Sequence, residues 1–311
     1  MLREGEALFG QPLLAMSRGK GSQLTPLGAR LVWAQRRILA RLSPVLDTLA
    51  SELGAEIEKV LSPAPSRLRI QASHGFAVQA MHELLGHAGV AHELKYCGSA
   101  EALASLGNGS CDVAGFHVPM GEFEAVAVEH YRPWLRPGTH RVIRLAKRRQ
   151  GLMVAPGNPK RIYEVADLVR PDVRFINRQP GSSTRYLLDL MLQARGIDTG
   201  AIRGYEQCEF THAAVAAFVA SGMADAGLGV EVPAREFKLE FLPVHQERYF
   251  LLCEARSLES DDVQRLLETI RSNEFREAVN RLPGYVADEP GSVVALDAAL
   301  SSHAVPARRA R

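Results

Sequence analysis

Ser182, Ser183 and Thr184 stand in a row, behind the bend-forming pair Pro180-Gly181 and ahead of Arg185. Hydroxyls are donors that stay neutral, and a helix beginning here would add backbone N–H groups that have no partner inside the helix. Together they make a socket for a small oxyanion. Arg185 supports that chemistry, because a cation in the first turn opposes the helix dipole unless an anion sits between them. A plainer reading has Ser183 or Thr184 capping the helix, with Arg185 in solvent or paired with Asp189.

The surrounding pattern fixes where this group must sit. Val173, Phe175 and Ile176 form a strand-like run before it, and Leu187, Leu188, Met191 and Leu192 follow at helical spacing, so the hydroxyls fall on a strand-to-helix turn. A second such turn is expected at Ser73-His74, where the run from Leu68 to Phe76 reads as a strand feeding, through a Ser, a helix at 77–86. The order then repeats. Gly109-Ser110-Cys111-Asp112 and Gly222-Met223-Ala224-Asp225 each end a helix and lead into a small-residue strand, the second being Ala226-Gly227-Leu228-Gly229-Val230. Two α/β lobes are implied, with their hydroxyl-bearing turns facing one cleft where strand C-termini and helix N-termini converge.

Other elements follow from the same patterns. Strands are expected at 92–97, 112–117, 202–205, 240–244 and 248–253, and 141–150 reads as an extended crossover between the lobes. Helices are expected at 99–106, 164–169, 213–220 and 262–280, the third opened by Thr211 as N-cap with His212 in its first turn. His212 is then either a ligand donor or a plain surface residue. His82 and His87 fail the zinc-protease spacing by one residue, and about 140° separates them around a helix.

With 311 residues, 46% of them apolar, the chain can fill the cores of one large or two medium domains. A net charge of +2 excludes neither nucleic acid nor small anions. Cys97, Cys111, Cys208 and Cys253 have no metal-ligand spacing, which suits reduced thiols in the cytoplasm. No signal peptide, membrane span, metal motif, nucleophile elbow or paired acid cluster is evident, so no catalytic residue, metal or cofactor is assigned.

From Gln11 to Val45 there is no acidic residue, while Arg18, Lys20, Arg30, Arg36, Arg37 and Arg41 are all present, a local basic patch suited to phosphates. Leu8-Phe9-Gly10-Gln11-Pro12-Leu13-Leu14, then Arg18, then Leu24-Thr25-Pro26-Leu27-Gly28, resembles the end of the winged helix-turn-helix of LysR-type and ModE-type bacterial regulators. Of the two further helices and most of the recognition helix that the family carries upstream, only Met1 to Phe9 remains, so the head is expected to be truncated at its start. The resemblance implies Arg18, Lys20, Thr25 and Arg30 as DNA-contacting residues. Residues 1–26 would be the remnant of the head. Residues 27–61 would be a linker helix whose seam of Ile38, Leu42, Val45, Leu49, Leu53, Ile57 and Val60 pairs two or four copies, with a kink or break at Ser43-Pro44.

A second resemblance covers most of residues 67–255. Gly151-Leu152-Met153-Val154, Gly157-Asn158-Pro159-Lys160, Asn177-Arg178-Gln179, Gly181 to Arg185, Gly204-Tyr205, Thr211-His212-Ala213 and Ser221 to Gly229 are similar to the binding domain of molybdate-type regulators. It implies an α/β, two-lobed, type II periplasmic-binding-protein-like core, with lobe I at 67–150 and 233–289, lobe II at 151–232 and a loose tail at 290–311. The ligand-binding residues it implies are Ser73, His74, His117, Ser182, Ser183, Thr184, Arg185, Thr211 and His212. The effector would be molybdate, tungstate or formate, sensed by a promoter-binding homodimer or homotetramer. The alternative is a cytosolic solute-binding protein without autonomous DNA binding.

Overall fold

The computed structural model describes residues 2–17, 21–61 and 67–300. Arg18, Lys20, the 62–66 linker and the last eleven residues of the expected tail lie outside them. Helix α1 (Leu2–Phe9) leads into an antiparallel hairpin of β1 (Leu14–Ser17) and β2 (Gly21–Leu24). Thr25 then caps α2 (Pro26–Leu61), its hydroxyl accepting from the Gly28 N–H at 3.1 Å while donating to the Pro12 carbonyl at 2.7 Å. Both uses occupy the Thr25 hydroxyl, so its expected DNA contact is corrected to a capping role.

No break occurs at Pro44. The helix runs continuously for 36 residues. Proline supplies no N–H to the carbonyl one turn back, that of Ala40, and the Thr211 hydroxyl donates to that carbonyl at 2.8 Å. Trp33 stacks on Phe237 with centroids 5.7 Å apart, so one face of α2 lies on its own chain. The opposite seam stays half exposed, from Leu42 at 46% to Leu53 at 62%.

The remaining chain builds one curled sheet shared by two lobes. Lobe I begins with β3 (Leu68–Ala72), α3 (Phe76–His87), β4 (His92–Tyr96), α4 (Ser99–Gly107), β5 (Val113–Pro119) and α5 (Glu124–Tyr131). Next, β6 (His140–Val154) crosses to lobe II, which holds β7 (Phe175–Arg178), α6 (Ser183–Ala194), β8 (Cys208–Glu209), α7 (His212–Ala220), β9 (Ala226–Val230) and α8 (Glu231–Glu236). Strand β10 (Glu240–Glu254) returns, and α9 (Asp261–Arg271), α10 (Asn273–Asn280), β11 (Tyr285–Val286), β12 (Val293–Ala295) and α11 (Leu296–Leu300) complete lobe I. The strand order is β4-β3-β5-β10-β6-β9-β7-β8, with β11 and β12 on β6. β3 is parallel to β4 and β5, and β7 to β8 and β9, whereas the fifteen-residue strands β6 and β10 are antiparallel to each other and belong to both lobes.

Each lobe is sealed on both faces of its sheet. In lobe I, Ile70, Met81, Leu251 and Phe275 pack on one side and Leu103, Phe116 and Phe250 on the other. In lobe II, Leu187, Leu188 and Phe175 fill one side and Ile176, Val215 and Val219 the other. All five residues of β9 are buried, as expected of an inner strand covered by helices. The repeated Gly-x-x-Asp segments do the same work in both lobes. Asp112 accepts from the Arg69 backbone and guanidinium while the Gly109 carbonyl takes a third donor, and Asp225 and Gly222 hold Arg174 identically.

Several expected elements are corrected. Residues 240–254 form one strand rather than two. Residues 202–205 turn instead of pairing, because Gly204 adopts φ +93°, where a Cβ would lie 2.2 Å from the Phe175 carbonyl oxygen. The expected helix at 164–169 is a 3₁₀ turn, closed by reciprocal capping of Glu164 and Asp167. The helix expected at 262–280 is broken at Ser272, whose extended backbone and hydroxyl cap α10. Residues 293–300 are not loose: Leu296 and Ala299 are buried against lobe I.

Candidate functional site

Four helices, each nine or twelve residues long, open onto the space between the lobes. They are α3 behind Gly75, α4 behind Gly98, α6 behind Ser182 and α7 behind Thr211. Every one follows a strand end, the place where parallel α/β units put their ligands. The Ser182 and Thr211 oxygens cap α6 and α7 by accepting from Thr184 N and Ala214 N, whereas α3 and α4 have no side-chain cap. Their N-terminal partial charges add up around a cavity of about 380 Å³.

The cavity is walled by Ser73, His74, Ser182, Ser183, Thr184 and His212 among the residues the sequence singled out. His117 lies beneath it. Its Nδ1 is 3.4 Å from the Ser73 hydroxyl and 3.3 Å from the Ser183 hydroxyl, so one buried ring spans the two lobes. Two other candidates are elsewhere. Thr211 is spent on the α7 cap and on Ala40. Arg185 lies over the Tyr205 ring at 4.6 Å and pairs with Glu206 at 3.3 Å, contacts that hold it along lobe II. Its expected role as the anion's counter-charge is corrected accordingly.

The buried cations of the cleft are Arg148 and Arg178, 2% and 5% exposed. Arg178, at the end of β7, donates to the Phe210 carbonyl at 2.9 Å and to Gln179 at 3.2 Å, both neutral. Arg148, at the lobe crossover on β6, pairs through Nε with the buried Glu247, and its Nη1 makes no hydrogen bond with any described residue. Gln150 donates to Glu247 and to Thr184, each at 2.9 Å, joining β10 to α6. Two guanidiniums therefore face one carboxylate. Burial, with Arg148 close by, pushes Arg178 down to about 9.

The histidines do not add charge. Burial first, then the two arginines, pushes His74 down to about 4 and His117 and His212 well below their ordinary value. The unfolded chain takes up protons on these side chains near pH 6.5, whereas folded His74 does so only near pH 4. Acid thus favours unfolding through that window. The melting temperature is expected to fall as pH drops from 7 to 5, and a flat profile in that range would contradict the neutral assignment.

Helix α2 completes the site with Arg41, Val45, Thr48 and Leu49. Arg41 pairs with buried Glu209 at 2.8 Å and Arg37 approaches the same carboxylate at 3.9 Å. Part of the basic patch read from the sequence is consequently used inside the chain. Arg30 is exposed near the start of α2, far in sequence from this contact. Among the described residues no group of three His, Cys, Asp or Glu side chains could hold a metal ion, and no helix is long and apolar enough to cross a membrane.

Sequence reasoning missed Arg148, Gln150, Arg178, Glu247 and Arg41. Arg178 did carry a signal, since an arginine closing an apolar parallel strand points at the crevice beyond the strand ends. Arg148 carried none: Lys147-Arg148-Arg149 reads as a solvated charged run, and only pairing with β10 buries its middle member.

Residues 82–271 match the model of the PBP superfamily domain. The uncharacterized protein YvgK of Bacillus subtilis (strain 168) is 31% identical over 200 residues, which is 64% of each chain; this chain thus spans less than two thirds of that relative. Among solved structures, the regulatory domain of MetR, a LysR family regulator from N. meningitidis, aligns with 74% of this chain and 100% of its own at 15% identity and a TM-score of 0.48. A putative phosphate ABC transporter substrate-binding protein with bound phosphate, from Clostridium perfringens, aligns with 72% and 100% at 12% identity and a TM-score of 0.50.

Proposed function

The chain belongs to the PBP superfamily, and we propose that it is a LysR-type transcriptional regulator whose two-lobed cleft senses a small anion. One observation carries the anion: four helix N-termini converge on two buried guanidiniums, of which Arg148 is paired with Glu247 and Arg178 bonds only to neutral groups. An anion placed there meets donors from both lobes, and each charge-assisted bond contributes roughly 1.5–3 kcal/mol. Binding would favour the closed arrangement of the lobes, and α2, which leans on both the cleft and lobe II, would carry the change to the hairpin and its DNA contacts.

The charge balance favours a monoanion. Counting side chains alone, Arg148 and Arg178 against Glu247 leave one positive charge at the polar end, Arg41 is offset by Glu209, and the neutral histidines leave the sum unchanged. Formate or another carboxylate matches that sum, while molybdate, tungstate or phosphate leaves a surplus negative charge unless a histidine takes up a proton. Titration of the full chain with formate, acetate, phosphate, molybdate and tungstate by calorimetry tests the reading; binding by none of these or larger anions would end it. Ser183→Ala is expected to weaken the anion that binds by about tenfold, the loss of one charge-assisted bond. Ser182→Ala instead removes a helix cap and is expected to cost about 1 kcal/mol of stability, read as a lower melting temperature.

Regulation is tested separately by gel shift with promoter DNA, with and without the anion, on the full chain. An anion-binding chain that leaves every promoter fragment unshifted would favour a solute-binding protein without autonomous DNA binding.

A further inference from the structure

The cavity is larger than a bare oxyanion requires, and its walls are of two kinds. At about 380 Å³ it would hold about a dozen waters, within the roughly 300–1,000 Å³ range of sites for organic ligands. Its floor is polar, built by Arg148, Arg178 and the hydroxyls. The lining also includes Tyr96 of β4, Phe210 ahead of α7, and Val45 and Leu49 of α2. Val45, Leu49 and Phe210 are 54%, 53% and 60% exposed, so they are apolar surfaces that the protein's own packing does not cover.

We infer that the ligand is an organic monocarboxylate with an apolar body, its carboxylate on Arg178 and Arg148 Nη1 and its body against Val45 and Leu49 of α2. This rests on the anion-sensing reading and adds the part of the ligand that reading leaves open. A planar carboxylate presents two acceptors to guanidinium donors, and Arg148 Nη1 is a buried donor with no partner among the described residues. The body then lies against Val45 and Leu49, apolar neighbours on an α2 wall that also carries Arg41, already paired with Glu209, and Thr48. Because α2 forms that wall, the ligand touches the helix directly. The helix is tied to the cleft at two further points, Arg41 to Glu209 and Ala40 to Thr211, the latter in the first-turn cap of α7. The ligand is therefore a direct contact between the lobes and the helix, and its length decides whether α2 registers it.

The test compares a bare and a bodied carboxylate on the same protein. Affinities of the full chain for acetate and for a series of linear and aromatic monocarboxylates of four to ten carbons are measured by calorimetry, in wild type, Val45→Asn, Leu49→Asn and Arg178→Met. Affinity is expected to rise by at least 100-fold over acetate at the best-fitting body. The two helix variants are expected to lose at least tenfold more affinity for the best-fitting acid than for acetate. Both positions are half exposed, so the variants are expected to melt within a few degrees of wild type. Equal affinity across the series, or helix variants that weaken acetate as much as the larger acids, would overturn the inference. Tight binding of molybdate or phosphate with no carboxylate preference would overturn it too, while leaving the anion-sensing reading intact. Unchanged binding in Arg178→Met would instead refute the anion site itself.

Discussion

Arg178→Met is expected to abolish anion binding and, in the same protein, to raise the melting temperature of the ligand-free chain. The two effects have one cause. Arg178 is 5% exposed, and its hydrogen bonds go to a carbonyl and an amide, neither of which neutralises it. Burial and the nearby Arg148 push its pKa down to about 9, which means the folded protein holds the charge against a penalty. A methionine of similar length removes the penalty and fills the same space, for a gain of roughly 1–3 kcal/mol, the scale seen when buried charges are replaced by apolar groups. At about 2–4 °C per kcal/mol the shift is readily measured by calorimetry. Binding moves the other way. Removing one partner of a buried ion pair costs roughly 3–5 kcal/mol, a loss of about 100- to 4,000-fold in affinity. A structural arginine would behave differently, because its removal would lower stability. An Arg178→Met chain that melts earlier yet binds anions as before would overturn the assignment.

The pH response supplies an internal check on the same residue. With its pKa lowered to about 9, Arg178 loses its proton earlier than an ordinary arginine as the solution becomes alkaline. A bound anion favours the charged form, so affinity is expected to decline above pH 9 in wild type. The ligand-free fold gains in that range, since the penalised charge disappears.

How much of this could be read from residues alone depended on whether a signal was local. The Ser182 turn, the Thr211 cap and the paired Gly-x-x-Asp segments are local, set by caps and by period. Each was placed correctly. The strand expected at 202–205 failed because Gly204 is pressed against the β7 backbone, a tertiary contact that no period encodes. Arg185 was singled out for its place in a helix turn, yet the direction of its side chain is decided by Tyr205 and Glu206. Arg148 and Glu247 face each other across paired strands 99 residues apart in sequence, and nothing in either segment announces the other. The roof over the cleft was equally hidden. The α2 stripe reads as a partner seam, and only the folded chain shows that Val45 and Leu49 of that stripe also border the cavity.

Gly98→Ala is expected to hold the lobes apart and weaken anion binding at least tenfold without unfolding the protein. Gly98 begins α4 in lobe I with φ −70° and ψ 157°, a conformation open to any residue, so alanine causes no backbone strain. The obstacle is steric. A Cβ there would lie 2.8 Å from the Gly181 carbonyl oxygen of lobe II, inside ordinary contact distance, with backbone on both sides and no flexible side chain to yield. The lobes are joined by β6 and β10, whose pairing is irregular between Pro243 and His245 and again between Tyr249 and Phe250. Those irregularities flank the crossover and are the natural place for the added methyl to be relieved by rotation. Opening there separates Ser73 from Ser183, which share His117 as a neighbour, and an anion can then meet donors from only one lobe at a time. Losing one charge-assisted bond of roughly 1.5–3 kcal/mol already accounts for a tenfold to 100-fold drop. Small-angle scattering should report a larger radius of gyration for Gly98→Ala than for wild type in saturating anion, while far-ultraviolet circular dichroism stays the same. Identical scattering and affinity would mean that closure against Gly181 is not what assembles the site.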